Sequence, residues 1–293
     1  MIKGHALRGI VYFATVAFLS FLSVGCSGLF YYPDRTLHYP PKNFGYQEEE
    51  ISFPSIDGTK IYGWFFRSND PSPKGTIVQF HGNGENMSSH YTSLVWVTKR
   101  GYNLFTFDYR GYGLSESEPT HKGTHLDGLA AMAKAWEIHQ RLKPPAIFVV
   151  YGQSIGGVIA MRSLFDSEVR DSADLIVMDS SFASFRNIAF KIMTSHWLTW
   201  PLSPIVWVVF SDKYAAKKAI KRNKVRLLVI HDQSDPVVPF ECGEELFKRA
   251  MASKDFWKLN EGGHAAIFAR PKERNRFIEL LDSIHAARKT AEP

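Results

Sequence analysis

The chain has 293 residues, 45% of them hydrophobic and 22% charged, which is enough for one large globular domain. Its net charge is +6, and two of its 35 basic residues, Lys3 and Arg8, belong to an N-terminal leader. The remaining 33 exceed the 29 acidic residues only slightly, so the charge balance indicates no nucleic-acid partner.

The first 25 residues have the pattern of a targeting leader. Lys3 and Arg8 precede an uncharged apolar run, Ile10–Leu22, and small residues continue up to Cys26. A basic stretch, an apolar run and a small-residue cleavage site are typical of a secretory leader. Small residues directly before a cysteine also resemble the lipobox of bacterial lipoproteins, in which Cys26 becomes the lipidated N-terminus.

Three outcomes are open for this leader: lipidation at Cys26 after removal of residues 1–25, an uncleaved signal anchor, or a plain cleaved leader. The anchor is an alternative because no charge lies between Arg8 and Asp34, so the stretch could span a bilayer. Positive charge on the N-terminal side predicts that the body of the chain lies outside the cytoplasm in all three cases. The leading expectation is a membrane-tethered lipoprotein of a bacterial cell envelope.

The next elements are a tether and a β-hairpin. Residues 26–46 include a stretch rich in tyrosine and proline, Phe30–Tyr46, which predicts an extended tether. Glu48–Phe53 and Lys60–Arg67 are strand-like, and Asp-Gly at 57–58 between them is a hairpin signal. The folded domain is therefore expected to span residues 47–293 and to begin with an antiparallel hairpin.

From residue 76 onward, short apolar strands alternate with helical segments. The predicted strands are Thr76–Phe80, Asn103–Phe107, Ala146–Tyr151, Leu175–Met178, Val225–Ile230 and Phe256–Leu259. The predicted helices are Ser89–Arg100, His125–Arg141, Gly157–Phe165, Phe240–Met251 and Lys272–Arg288. Such alternation predicts an α/β fold with a mostly parallel central sheet and helices on both faces.

Residues 182–224 interrupt this alternation, because the segment is too long for one crossover helix. It carries three of the seven tryptophans: Trp197, Trp200 and Trp207. Two prolines divide it, which predicts a small helical cap over the carboxyl ends of the strands. Its aromatic side chains either line a pocket or touch a lipid surface, or they bury one another. The six basic residues in 213–224 either form a solvated helix face or contact anionic headgroups.

The sequence Gly-Gln-Ser-Ile-Gly at 152–156 lies between a predicted strand and a predicted helix. A strand that turns into a helix through Gly-x-Ser-x-Gly is a nucleophile elbow. The turn holds Ser154 in a strained, positive-φ conformation, and glycine is needed at both ends because a Cβ there would clash. Ser154 is therefore a candidate nucleophile, with the Ile155 N–H at the top of the following helix.

A serine hydroxyl is a poor nucleophile at neutral pH and needs an adjacent base that a third group orients. The loop after strand Val225–Ile230 contains Asp232 and Asp235, and the loop after the next strand contains His264. In proteins with this elbow, the order along the chain is serine, acid, histidine. The sequence thus predicts a triad of Ser154, Asp235 and His264, with Asp232 as a second carboxylate nearby.

These pieces together resemble the α/β-hydrolase superfamily, and within it the serine hydrolases related to the Bem46 and ABHD13-like proteins. The matching motifs are His-Gly-Asn-Gly at 81–84, Asp-Tyr-Arg-Gly-Tyr-Gly-Leu-Ser at 108–115, Gly-Gln-Ser-Ile-Gly-Gly at 152–157, Asp-Pro-Val-Val-Pro at 235–239 and Gly-His at 263–264. The acid of that family is an aspartate followed by x-x-Val-Pro, which the resemblance places at Asp235.

The resemblance implies hydrolysis of a carboxylic ester or thioester through an acyl-enzyme. The oxyanion would be held by the backbone N–H groups of Ile155 and Asn83, with Gly84 as the alternative to Asn83. His81 is expected to be a structural hydrogen-bonding residue. A peptidase of the same fold and a catalytically silent binding protein at the envelope are the alternatives.

No cofactor is expected from the sequence. No Gly-x-Gly-x-x-Gly follows the first strand, and no phosphate-binding Gly-Lys-Ser is present. His121 and His125 lie near a helix start without a third ligand at metal spacing, so no metal site is predicted. The expected partners are a small-molecule or lipid acyl substrate and the membrane.

Overall fold

The computed structural model describes residues 30–195 and 197–291. An eight-stranded sheet with the order β1-β2-β4-β3-β5-β6-β7-β8 lies at its centre. The strands are β1 (Glu49–Pro54), β2 (Lys60–Phe66), β3 (Gly75–Phe80), β4 (Tyr102–Phe107), β5 (Ile147–Gln153), β6 (Leu175–Asp179), β7 (Leu227–Asp232) and β8 (Lys254–Leu259).

The pairing of the strands confirms the predicted mixed sheet. β1 and β2 form the antiparallel hairpin around Asp57-Gly58, and β2 pairs antiparallel with β4. The six strands from β4 to β8 along the sheet are parallel. Every residue of β3 to β7 is buried, as expected for parallel strands that are covered on both faces.

Helices cover both faces of the sheet and enclose two hydrophobic cores. The α-helices are α1 (Met87–His90), α2 (His121–His139), α3 (Ile155–Asp166), α4 (Phe185–Thr194), α5 (Val206–Val209), α6 (Ala216–Arg222), α7 (Phe240–Arg249) and α8 (Pro271–Ala291). Side chains of α2, α3 and α6 pack into one core, and side chains of α8 pack into the other.

The chain order of the strands reverses direction between β3 and β5, which are neighbours in the sheet. From β3 the chain passes to β4 on one side, and from β5 it passes to β6 on the other. In open α/β sheets, the crevice outside the carboxyl ends at such a switch point is the usual ligand site. The loop at 81–84 and the elbow at Ser154 follow these two strands.

The predicted helix Ser89–Arg100 is wrong in type. The structure has the single α-turn of α1 followed by 3₁₀ turns at Tyr91–Ser93 and Val95–Arg100. Hydroxyl groups in this stretch donate to carbonyls three residues earlier, for example Thr98 Oγ1 to Val95 O at 2.8 Å. Such local bonds compete with the α-helical pattern, and β-branched residues weaken it further.

The segment from Phe30 to Phe44 lies against the folded domain. Tyr31 is buried, and its hydroxyl lies 3.0 Å from both His121 Nδ1 and Thr124 Oγ1 on α2. The carboxamide of Asn86 donates to the carbonyls of this segment at Asp34 and Thr36. The stretch expected to be a tether therefore forms part of the packed body.

None of the helices within residues 30–195 and 197–291 is long and apolar enough to cross a membrane. The predicted leader and Cys26 lie outside the described residues. The other cysteine, Cys242, is buried near the start of α7.

Candidate active site

Ser154 lies on the sharp turn between β5 and α3. Its φ is +54° and its ψ is −123°, a backbone conformation that residues other than glycine rarely adopt. The Ser154 N–H donates to Asp179 O at 2.8 Å, and Ser181 Oγ donates to Ser154 O at 2.7 Å. Ile155 is the first residue of α3, so its N–H has no acceptor within the helix.

Two glycines allow this turn to pack. A Cβ at Gly152 would lie 2.5 Å from the Gly157 Cα, and a Cβ at Gly156 would lie 2.2 Å from Phe80 O. Both distances are far below van der Waals contact. Glycine is therefore required for the close approach between the elbow and the end of β3, which brings the 81–84 loop beside the turn.

Asp235 and His264 are joined by a hydrogen bond of 2.8 Å between Asp235 Oδ2 and His264 Nδ1. The Asp235 side chain is fully buried, and that of His264 is 23% exposed. The other oxygen, Asp235 Oδ1, accepts the N–H groups of Val237 and Val238. Burial alone would raise the pKa of Asp235, but these hydrogen bonds, led by that of His264, hold it below its ordinary value.

Asp232, the second carboxylate, is the last residue of β7 and has a different set of contacts. Its Oδ2 accepts the Gly262 N–H at 2.6 Å, and its Oδ1 accepts both the N–H and the hydroxyl of Ser234. It therefore links the loop after β7 to the loop after β8, two residues before His264. The structure brings Asp235, and not Asp232, into contact with the imidazole.

The loop that carries His264 is attached to the elbow by its backbone. Gln153 Nε2 donates to Ala265 O at 2.9 Å, and the Ala265 N–H donates to Ser180 Oγ at 2.9 Å. These bonds tie the histidine loop to the ends of β5 and β6. Among the described residues, no hydrogen bond joins the Ser154 hydroxyl to His264 directly.

The side chain of Asn83 has a role that the sequence did not indicate. Its Oδ1 accepts the Tyr32 N–H and the Tyr112 hydroxyl, each at 2.8 Å. The predicted oxyanion loop is thereby fixed to the N-terminal segment. A Cβ at Gly82 would lie 3.6 Å from the Ser154 Cβ, which places this loop directly beside the serine.

His90 and Asp179 are two groups at this site that the sequence reasoning missed. His90 lies between the elbow and the oxyanion loop, with Nδ1 3.1 Å from Gln153 Oε1 and Nε2 3.1 Å from Gly84 O. Burial lowers its pKa to about 4, so the ring is neutral at pH 7 and donates from one nitrogen only. No spacing in the sequence relates His90 to the serine, since folding alone brings them together.

Asp179 ends β6 and is buried. The Tyr151 hydroxyl donates to its Oδ2 at 2.5 Å, and Ser180 Oγ donates to its Oδ1 at 3.2 Å. Burial raises its pKa to about 6 despite these bonds and the nearby His264. Its place at the carboxyl end of a buried strand was the signal that could have marked it.

His81 is completely buried, and its Nδ1 lies 2.7 Å from Gly82 O. Its Nε2 lies 3.4 Å from Asp108 Oδ1, which also accepts the Met87 N–H at 2.7 Å. His81 therefore makes the contacts of a structural residue, which link the 81–84 loop to Asp108 directly after β4.

Arg110 forms ion pairs with two carboxylates outside its own turn. Its guanidinium contacts Asp127 on α2 at 2.8 Å and Asp57 in the hairpin turn at 2.9 Å.

The insertion between β6 and β7 divides into two parts. The first, with α4, the 3₁₀ turn Trp200–Ile205 and α5, follows the strand end at Asp179. The second part, α6, packs against α3 and α7 and covers the sheet. Within the residues that the structure describes, no group of three His, Cys, Asp or Glu side chains could hold a metal ion.

The chain is similar to several known proteins. A family model described as serine aminopeptidase S33 matches residues 71–208. The uncharacterized protein YfhR of Escherichia coli K12 is 30% identical over 244 residues, which cover 82% of this chain and 80% of that protein. The lysophosphatidylserine lipase ABHD12 of Danio rerio is 31% identical over 221 residues, 69% of this chain and 52% of that protein.

The Pyrococcus furiosus esterase Pf2001 superposes with a TM-score of 0.67 at 22% identity, covering 86% of this chain and 98% of that one. At this identity the likeness shows the fold alone. It agrees with the eight-stranded sheet, so the predicted fold class is confirmed.

Proposed function

The chain belongs to the α/β-hydrolase superfamily, and on this basis we propose that it is a serine hydrolase that cleaves carboxylic esters or thioesters. The observation that carries the proposal is the 2.8 Å hydrogen bond between His264 and buried Asp235, on a loop tied to the strained elbow at Ser154. In the proposed mechanism, Ser154 is the nucleophile, His264 the base and Asp235 the residue that orients the base.

The reaction begins when His264 Nε2 takes the Ser154 proton and the serine oxygen attacks the acyl carbonyl. Asp235 accepts the Nδ1–H bond and stabilises the imidazolium that forms. The lowered pKa of Asp235 supports this role, because it keeps the carboxylate ionised at neutral pH and able to stabilise the positively charged ring. The imidazolium then gives its proton to the leaving alcohol or thiol, and the acyl group stays on Ser154.

Water completes the cycle. His264 takes a proton from water, the hydroxide attacks the acyl-enzyme, and the proton returns to Ser154 as the acid leaves. The N–H groups of Ile155 and Asn83 hold the oxyanion in both halves. Each of these two donors stabilises the transition state by about 3 kcal/mol. The tie between Asn83 and Tyr32 supports a preformed loop, which lowers the cost of reorganisation.

The proposed substrate class is an apolar acyl compound, such as a lysophospholipid or an S-acylated thioester. ABHD12 is named as a lysophosphatidylserine lipase, and this chain matches about half of its length. A peptidase is the second candidate, because the matching family model is described as a serine aminopeptidase. The third, a silent binding protein, requires that the chain hydrolyse nothing.

The test is labelling by a fluorophosphonate probe together with hydrolysis of p-nitrophenyl esters from acetate to palmitate. We expect Ser154→Ala to lose the label and at least about 10³-fold in ester turnover. Ser283→Ala, an exposed serine on α8, is the matched control and should behave as the parent chain. Full labelling of Ser154→Ala would contradict the nucleophile. Faster cleavage of aminoacyl p-nitroanilides than of any ester would favour the peptidase.

We also propose that the protein is a membrane-tethered lipoprotein with its hydrolase domain outside the cytoplasm. The support is the basic and apolar leader followed by Cys26. Mass spectrometry of the mature N-terminus should find residues 1–25 removed and a lipid on Cys26. An unmodified Cys26, or an uncleaved leader, would contradict this processing.

A further inference from the structure

The cap exposes several large apolar side chains that lie close together in sequence, which we call the cap face. Its members lie between residues 197 and 208 and are 46–86% exposed: Trp197, Leu198, Trp200, Leu202, Trp207 and Val208. Soluble monomers rarely expose contiguous apolar surface of this kind without a partner. From its position and chemistry we infer that the cap face inserts into the surface of a lipid bilayer.

Most of these side chains contribute little to the packing of the cap, with the exception of Trp207, whose ring contacts Phe190 on α4. In the same short stretch, Val206 is completely buried and Phe210 is nearly so, and both pack on Ala189. Val208, which lies between them in sequence, is 80% exposed. The cap therefore has an inner side that attaches it to the domain and an outer side that is apolar but unused. The tryptophans consequently do not bury one another, which was one of the two expectations for this segment.

Composition favours lipid over a second protein surface. Tryptophan, with an apolar ring and a polar N–H, is enriched at the boundary between headgroups and acyl chains. The sequence from 182 to 211 contains no Asp or Glu, and Arg186 and Lys191 are both basic. Glu241 on α7 lies 3.7 Å from Lys191 and offsets part of this charge. The segment itself still adds only basic side chains beside the apolar face, which is complementary to the anionic headgroups of a bilayer.

The N-terminal segment packs against the cap. The Phe30 ring packs edge-to-face on Phe185 and Phe210 of the cap at 5.1 Å from each. Phe30 follows Cys26 by four positions, and four residue steps can span at most about 14 Å. A lipid on Cys26, as proposed above, would hold a bilayer within that distance of the cap.

The cap begins at the proposed catalytic edge. Phe182, where the cap begins, directly follows Ser181, whose hydroxyl donates to Ser154 O. On the other side, the Tyr32 N–H reaches Asn83 in the oxyanion loop. Insertion of the cap face would therefore bring the proposed site close to the membrane surface. That part of the inference rests on the proposed function, whereas insertion itself does not.

The test uses the full chain with one added cysteine, labelled with an environment-sensitive NBD fluorophore. Trp197→Cys places the label on the cap face, and Met251→Cys places it on an equally exposed position at the amino end of β8, at the opposite edge of the sheet. The parent chain measures the background from Cys26, since Cys242 is buried. Each chain is reconstituted in vesicles of phosphatidylcholine with a quarter phosphatidylglycerol, with and without nitroxide-labelled lipid.

We expect the label at 197 to shift to the blue and to be quenched by the nitroxide lipid at least about threefold more than the label at 251. Equal quenching at the two positions would overturn the inference, as would a blue shift at 197 without quenching, which would indicate a second copy of the chain. These readouts do not depend on turnover, so failure of the proposed hydrolase activity would be recognised separately.

A second variant tests the functional part. Trp197→Ser with Trp200→Ser should lower kcat/KM for a long-chain ester in vesicles by about tenfold or more, because the lost apolar burial weakens insertion. Hydrolysis of soluble p-nitrophenyl acetate should not change. A parallel loss on both substrates would overturn this part of the inference, because it would show that the two tryptophans support the site itself, and no loss on either would contradict delivery from the membrane.

Discussion

At the scale of single residues, the division of labour between Asp232 and Asp235 is the clearest result. The two carboxylates lie three residues apart, Asp232 at the end of β7 and Asp235 in the loop that follows, and either could accept a hydrogen bond from a histidine after β8. In the structure, Asp235 is hydrogen-bonded to the imidazole of His264, and Asp232 accepts a hydrogen bond from the Gly262 N–H. The difference arises because Asp235 is held by the turn at Val237 and Val238, which directs its second oxygen to His264.

The first prediction follows from this division. Asp235→Asn should lower kcat for ester hydrolysis by about 10³- to 10⁴-fold, because an amide does not stabilise the imidazolium or select its tautomer. KM should change little. The measurement is steady-state hydrolysis of p-nitrophenyl esters by the full chain.

Asp232→Asn is the matched control, with the same chemical change three residues away. It keeps an acceptor for the Gly262 N–H and should retain activity within about tenfold. A larger loss in Asp232→Asn than in Asp235→Asn would reverse the proposed roles of the two residues.

At the scale of elements, a buried charge cluster fastens the β1–β2 hairpin to the rest of the domain. The Arg110 guanidinium follows β4 and contacts Asp127 on α2 and Asp57 in the hairpin turn. Asp127 also accepts the Ser55 hydroxyl and the Arg110 N–H. One side chain therefore connects three elements that are far apart in sequence.

The second prediction concerns this cluster. Asp127→Asn should lower the free energy of unfolding by about 3 kcal/mol, because it leaves a buried guanidinium only partly compensated. Urea denaturation at neutral pH is the measurement. Glu137→Gln on the same helix removes surface pairs with Lys134 and Arg141 and should cost less than about 1 kcal/mol. Equal losses of unfolding free energy in the two variants would show that the Arg110 cluster stabilises the domain no more than surface ion pairs do.

Elements were also where sequence reasoning was weakest. The stretch 89–100 has the length and apolar content of a helix, but the hydroxyls of Thr92, Ser93 and Thr98 bond back to carbonyls and favour 3₁₀ turns. Helix α2 begins at His121, four residues before its predicted start, because the Thr120 side chain caps it through the Gly123 N–H. Both differences depend on side-chain hydrogen bonds that periodicity does not register.

At the scale of the whole molecule, burial of several histidines couples stability to pH. Burial lowers the pKa values of His90, His121 and His139 to about 4, against about 6.5 in the unfolded chain. Between these values the unfolded state binds more protons, so stability falls as the pH is lowered from 6.5 to 4. Asp179 acts in the opposite direction, because its raised pKa favours proton binding by the folded state between about 4 and 6.

The third prediction is therefore a loss of stability in mild acid, dominated by the histidines. His139→Phe keeps an aromatic ring between Trp136 and Phe148 and removes one titrating group. The difference in unfolding free energy between pH 7 and pH 4.5 should shrink by about 2 kcal/mol in this variant. Urea denaturation at both pH values is the measurement, and an unchanged difference would show that His139 does not contribute.

The sequence by itself determined the parallel sheet, the elbow and the order of Ser154, Asp235 and His264, because apolar periodicity and strand-end motifs are local and survive without coordinates. Only the tertiary structure decided which carboxylate meets His264, that His90 and Asp179 lie at the site, and that Phe30 to Phe44 pack on the domain. It also decided that the tryptophans of the cap face point outward. Each of these depends on contacts between residues distant in the chain, or on which side of a short helix is buried, and no local pattern specifies either.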